Sequence, residues 1–167
     1  SNFDYLEKNQ YYLDSACQTL RPQQVIDAQN EYYQTYNACG ERVKYKWGIK
    51  VDEKVEECRE NLLTYCGKSS KDYTVVFTLN TTYGINLILH QLNPKGFKQI
   101  VTSESEHNSV FLPTMTFAKR NNIPRIVLNR NNDGSIDFGK QDLSHSIVLV
   151  NTVSNIDGRK LINLKDL

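Results

Sequence analysis

Apolar positions change their period partway along the chain. From Pro22 to about Asn37, Val25, Ala28, Tyr32 and Tyr36 recur every three or four residues, which places them on one face of an α-helix. Pro22 fits the first turn, where a missing N–H costs nothing. A second helix is predicted from about Val51 to Cys66, with a buried stripe of Val51, Val55, Cys58, Leu62 and Cys66 and with Gly67 as its stop. Its opposite face (Glu53, Lys54, Glu56, Glu57, Arg59, Glu60) reads as solvated, and CGERVKYKWG between the two helices reads as a loop. From Tyr73 onward the pattern becomes short β-branched runs alternating with helical ones. TVVFTL predicts a strand, and Ile85, Ile88, Leu89 and Leu92 predict a helix after it. QIVTS predicts the next strand, followed by a helix carrying Val110, Phe111, Thr114, Met115 and Ala118. PRIVLN is a further strand, NNDGSID a turn, Phe138 to Leu143 a short helix, and SIVLVNTV a last strand. LINLKDL reads as the opening of another helix.

Strands alternating with helices imply parallel βαβ units. The predicted fold class is therefore α/β: a mostly parallel sheet with helices on both faces, preceded by N-terminal helices. Residues 1–70 are expected to form a helical segment packing on the α/β part, and residues 71–167 a partial α/β domain. A sheet ending on an unfinished crossover would leave an edge strand to cover, so a longer enzyme is expected.

Composition narrows the function classes. The 167 residues are 39% hydrophobic, enough for one core of ordinary size. The 20 basic and 19 acidic residues are interspersed and give a net charge of +1, with no basic stripe to follow a nucleic-acid backbone. No apolar run approaches the roughly 18 residues of a membrane span. Cys17, Cys39, Cys58 and Cys66 are widely spaced without a CxxC, which points to free thiols in a reducing cytoplasm and to no metal site.

In open parallel sheets, ligands gather beyond the carboxyl ends of the strands. Three such ends carry polar residues here. After TVVF, Thr81 and Thr82 stand where a helix should begin, with Gly84 in its first turn. Hydroxyls beside free N–H groups at a helix start make a phosphate seat, although from these residues alone a plain helix cap by Asn80, Thr81 or Thr82 is the commoner arrangement. After QIVTS, His107 falls in the first turn of the next helix, with Ser105 or Glu106 near its cap; it is a capping ornament, a metal ligand or a flat ring held over a flat ligand. After SIVLV, Ser154 and Asn155 precede a glycine-containing turn, which is either an ordinary Asx turn or a side-chain amide offered to a ligand. A planar, phosphorylated, hydroxylated heterocycle would use all three ends.

The segments YYLDSACQTLRPQQVIDAQNEYY, TLNTTYGINLIL, SESEHNSVFLPT and NTVSNIDGRKLINL, in that order, resemble the class V aminotransferase family of pyridoxal 5'-phosphate enzymes, especially its cysteine desulfurase and selenocysteine lyase branch. The resemblance covers nearly the whole chain but only the first part of a family member. It implies the large domain of a fold-type I enzyme, with Thr82, and Thr81 beside it, at the phosphate. It implies His107 as a ring that stacks on the pyridine and assists proton transfer, and Asn155 as the partner of the phenolic oxygen. It also implies an amino-acid substrate and a homodimer. Asn80-Thr81-Thr82-Tyr83 stands where that branch usually has Gly-Thr-Thr-Glu, and GERVKYKWG stands where it has an H-R-G-x-H loop, so desulfuration is not the only class V activity open to it. The family's Schiff-base lysine and pyridine carboxylate are expected beyond Asn155. Neither Lys160, Lys165 nor Asp157 matches them, so the chain alone is expected to be catalytically inert and to bind free cofactor weakly. The competing reading is a non-catalytic α/β module that binds a phosphorylated small ligand or a protein partner.

Overall fold

The computed structural model describes residues 2–42 and 44–166. The chain divides into two compact units, Ser1–Phe77 and Thr78–Leu167.

In the first unit, α1 spans Gln23–Glu31 and continues as one π-helical turn, Tyr32–Tyr36. Pro22 is the residue before the helix (φ −57°, ψ 149°) rather than part of its first turn. The π turn bunches aromatic rings, with Tyr32 and Tyr36 edge to face at 5.4 Å and Tyr36 buried. The second helix, α2, spans Lys46–Tyr65. Lys50 of α2 sets its ammonium 4.0 Å from the Tyr36 ring centroid and 3.1 Å from Glu31, tying α2 to the π turn. Two expectations are corrected here. The helix begins at Lys46, not Val51, because Tyr45 offers no side-chain cap that would mark the start. The stripe is also not buried as predicted: Gly48 and Leu63 are the buried positions of α2, whereas Cys58, Leu62 and Cys66 are exposed. The stop is as expected. Gly67 adopts φ +64°, its N–H donates to the Thr64 carbonyl, and the Lys68 N–H donates to the Leu63 carbonyl, the paired bonds of a Schellman motif.

The second unit holds a three-stranded parallel sheet. Strand β1 (Gln99–Ser103) lies between β2 (Arg125–Leu128) and β3 (Ser146–Val148). Helix α3 (Thr81–Gln91) precedes β1, and α4 (Asn108–Asn121) forms the β1–β2 crossover. Leu89 of α3 and Phe117 and Ala118 of α4 meet Ile100 and Ile147, which are register partners across β1 and β3. Arg125 ties α4 to β2: its guanidinium lies 4.1 Å from the Phe111 ring centroid and donates to Thr114 Oγ1 at 3.1 Å, and burial pulls it below the ordinary arginine range.

Three expected elements differ. Residues 74–79 form no strand; Val76 and Leu79 are exposed, and no described strand lies beside them. An apolar β-branched run records a preference for pairing but cannot supply the neighbour. The helix expected over Phe138 to Leu143 is a series of turns instead. Asp137 accepts from the Gly139 N–H and Asp142 from the Ser144 N–H, and Gly139 sits at φ +52°. These local side-chain bonds outcompete a helix. The helix expected in LINLKDL is one 3-10 turn, Leu164–Asp166.

Thr102 of β1 is fully buried, and its hydroxyl has no hydrogen-bond partner among the described residues. Removing an unsatisfied buried hydroxyl without changing shape relieves a desolvation penalty. Thr102→Val is expected to leave stability unchanged or raise it by about 1 kcal/mol, read from the urea midpoint; a loss above about 1 kcal/mol would reveal a partner for that hydroxyl.

Candidate functional site

The strand order β2-β1-β3 places β1 centrally, with its crossover leading to one side and β3 on the other. Such a reversal opens a crevice at the carboxyl ends. At that end of β1 the chain turns through residues 104–107 into α4. His107 is the N-cap of α4, not a first-turn residue with Ser105 or Glu106 as its cap. Its backbone is extended (φ −60°, ψ 149°), and its ring Nδ1 accepts the Ser109 N–H at 3.0 Å. The imidazole thus does the work usually left to a short polar side chain.

At α3 the cap is Asn80, whose Oδ1 accepts the Tyr83 N–H at 2.9 Å. This resolves the capping alternative for Thr81 and Thr82: neither side chain serves as the cap. Their N–H groups belong to the first turn, which has no intrahelical acceptors, and both residues are exposed. Gly84 serves packing rather than ligand approach, since a Cβ there would lie 3.3 Å from Thr78 Oγ1.

One residue joins the two helix starts. Ser109, buried in the first turn of α4, places its hydroxyl 2.6 Å from Thr82 Oγ1 and 2.9 Å from His107 Nδ1. The structure thereby brings Thr82 and His107 into one cluster. Thr81 adjoins it in sequence.

Asn155 is placed at the tip of a small hairpin that follows β3. Val153 and Lys160 form an antiparallel bridge, and the Leu161 N–H donates to the Thr152 carbonyl at 2.7 Å. Asn155 is exposed, and no hydrogen bond among the described residues joins it to Thr82 or His107. The hairpin is pinned from two sides. Arg130 donates to the carbonyls of Asn151 and Arg159 at 3.3 and 3.1 Å. Glu106, only 6% exposed, accepts the Ser103 hydroxyl at 2.5 Å and the Asn151 N–H at 2.8 Å. The carboxylate beside His107 thus also holds the base of the loop that carries Asn155.

The hairpin's turn is itself stabilised by a carboxylate. The Arg159 N–H, then the Ser154 hydroxyl, hold Asp157 below the ordinary aspartate range. A depressed folded-state value contributes stability above the unfolded value and loses it as pH falls through the folded one. Hydrogen-exchange protection of the Arg159 amide is therefore expected to stay flat from neutral pH down to the ordinary aspartate range and to fall only below it. Loss of protection near pH ~6 would exclude this carboxylate as its cause.

Sequence reading did not single out Asn80 as the α3 cap, nor Glu106 or Ser109 as structural links. Ser109 had a local signal, since a hydroxyl two residues past a capping histidine lies in the same first turn. Its bond to Thr82, 27 positions away, had none.

The family model for class-V aminotransferases matches residues 11–167. The chain belongs to the class-V aminotransferase family. Family members are pyridoxal-phosphate enzymes, in keeping with the resemblance read from the motifs. Among curated relatives, a probable cysteine desulfurase of Methanothermobacter thermautotrophicus is 31% identical over 92% of this chain and 38% of its own length. One of Pasteurella multocida is 31% identical over 94% of this chain and 38% of its own. Among solved structures, the apo cysteine desulfurase of Thermococcus onnurineus NA1 superposes with a TM-score of 0.74 at 27% identity, covering 86% of this chain and 37% of that one. A NifS-like protein with a TM-score of 0.75 and 18% identity shares the fold. The α/β fold with a parallel sheet is thus that of the large domain of fold-type I enzymes. The chain spans about two-fifths of the length of these relatives.

The donor set suits a phosphorylated pyridine. Two first-turn amides and a hydroxyl at α3 are donors fit for an acceptor-only phosphate, and His107 stands one hydrogen-bonded link away. Among the described residues no helix is long and apolar enough to cross a membrane.

Proposed function

We propose that this chain supplies one wall of the pyridoxal-phosphate site of a cysteine desulfurase-like or related amino-acid lyase or transaminase. The observation that carries the reading is the Thr82–Ser109–His107 cluster, which sets a phosphate-type helix start beside an aromatic ring at the carboxyl end of a parallel sheet.

Each residue has a role by its chemistry. The amides of Thr81 and Thr82 and the Thr82 hydroxyl would hold the phosphate. His107, its Nδ1 fixed by the α4 amide, would present a ring of set orientation to the pyridine; its Nε2, which has no partner among the described residues, would be the atom available to hold or pass a proton. Asn155, at the hairpin tip, would donate to the phenolic oxygen. Pyridoxal phosphate, when bound, supplies an electron sink for bonds broken at the α-carbon of an amino acid. The whole protein is proposed to act on an amino-acid substrate, in the cytoplasm and as a homodimer. The similarity to cysteine desulfurases favours a sulfur-containing substrate. The Gly40–Gly48 segment, part of which is α2 here, departs from the family's H-R-G-x-H loop, so the reading stays at the level of the amino-acid lyase and transaminase group.

The test is selective loss of phosphate recognition. A hydrogen bond to a charged group contributes about 1.5–3 kcal/mol, so Thr82→Val is expected to weaken binding of pyridoxal 5'-phosphate by about tenfold or more and to leave unphosphorylated pyridoxal unaffected. Equal weakening of both ligands, or of neither, would refute the phosphate role.

A further inference from the structure

We propose that Ser109 is a positioning residue that makes the phosphate seat and the His107 ring one switchable hydrogen-bonded unit. The inference rests on the reading of Thr82 as a phosphate ligand and goes beyond it, because it assigns a coupling between two of the site's parts.

The direction of each hydrogen bond follows from the donors available. Nδ1 of His107 accepts the Ser109 N–H at 3.0 Å, so it carries no proton and the ring proton is on Nε2. The Ser109 hydroxyl, 2.9 Å from the same nitrogen, can then bond to it only by donating. A serine has one hydroxyl proton. With that proton given to Nδ1, Ser109 accepts and Thr82 donates at the 2.6 Å contact, one of the two directions open to this pair of hydroxyls. The order is Thr82 to Ser109 to His107. Ser109 is only 9% exposed, so water competes poorly for its hydroxyl.

A phosphate reverses this order. Its oxygens accept, so Thr82 can serve it only by turning its proton away from Ser109. Two hydroxyl oxygens at 2.6 Å with no proton between them repel. Ser109 relieves this by donating to Thr82, and so withdraws its proton from Nδ1. Arrival of an anion at α3 is thus felt at the histidine ring as the loss of one of its two donors, with no heavy atom displaced. The remaining donor, the Ser109 amide, keeps the ring in place in both states. The nearby carboxylates Glu104 and Glu106 are engaged elsewhere, by the Arg130 amide and by Ser103 and the Asn151 amide.

The experiment uses the full chain with 15N-labelled histidine at about pH 8.5, above the ordinary histidine range, with inorganic phosphate as the probe. The His107 ring nitrogens and the Thr81 and Thr82 amides are followed together. In the wild type, phosphate is expected to move the Thr82 amide and the Nδ1 resonance with one midpoint, Nδ1 shifting downfield as it loses a donor. In Ser109→Ala, Nδ1 should begin near that endpoint, and phosphate should move the Thr82 amide alone. Ser109→Thr should restore the joint response. A wild-type Nδ1 that stays still while the Thr82 amide saturates would overturn the coupling and leave the phosphate seat standing. So would a Ser109→Ala Nδ1 resonance equal to that of the wild type before phosphate is added. Silence of the Thr81 and Thr82 amides at saturating phosphate would instead remove the phosphate-seat reading itself, and the coupling with it.

Discussion

Truncating Phe117 to alanine is expected to cost about 3–5 kcal/mol. Phe117 is 2% exposed and lies where α4 meets Leu89 of α3, Ile100 of β1 and Ile147 of β3. One ring therefore joins both helices to the sheet. Its removal leaves a cavity whose walls belong to three different elements, so no single shift can close it. Because α3 and α4 start at the candidate site, the same substitution should also loosen the Thr82–Ser109 contact. Urea denaturation measures the loss. A change below about 1 kcal/mol would mean that the core does not depend on this ring.

The second large effect is expected at Glu106. Its carboxylate is buried and accepts one hydroxyl and one amide, from Ser103 and Asn151. Glu106→Ala leaves both donors without an acceptor, the Ser103 hydroxyl fully buried and the Asn151 N–H partly so, at a cost of about 3 kcal/mol. Glu106→Gln keeps one acceptor oxygen but turns an NH2 group toward the other donor, so an intermediate loss of about 1–2 kcal/mol is expected. The ordering carries the information. If alanine and glutamine cost the same, the carboxylate is not bonded to both strand ends. If Glu106→Ala is neutral, the hairpin that carries Asn155 is held by Arg130 alone. Amide exchange at Asn151 separates these outcomes, since its protection should fall in both variants and further in alanine.

Where the sequence was legible, the information was local. QIVTS is β1 residue for residue, because a buried β-branched run and its polar end coincide with the strand. Gly67 ends α2 because only a residue tolerant of positive φ closes that motif cheaply. The α3 and α4 helices were readable from apolar spacing, and the start of α3 was placed within a residue by its Asn-Thr-Thr run. The failures were cases in which a neighbour decides. Residues 74–79 have the composition of a strand without a described partner. Cys58, Leu62 and Cys66 have the spacing of a buried stripe but are exposed. Asp137 and Asp142 override a helix through side-chain bonds that composition does not rank. The site shows the same division. His107 and Thr82 could be named from their motifs, and their helix-start positions follow from local pattern. That they share Ser109 depends on how α3 and α4 cross, and no local signal reports a crossing.

Thr81, Thr82, His107 and Asn155 are proposed to surround one phosphorylated pyridine. The most direct measurement is an amide and imidazole chemical-shift titration of the chain with pyridoxal 5'-phosphate, with unphosphorylated pyridoxal and inorganic phosphate as controls. The phosphorylated ligand is expected to move all four residues with a common midpoint, and inorganic phosphate to move the Thr81 and Thr82 amides without Asn155. Separate midpoints for the helix start and for Asn155, or an unmoved Asn155 when the other three are saturated, would contradict it.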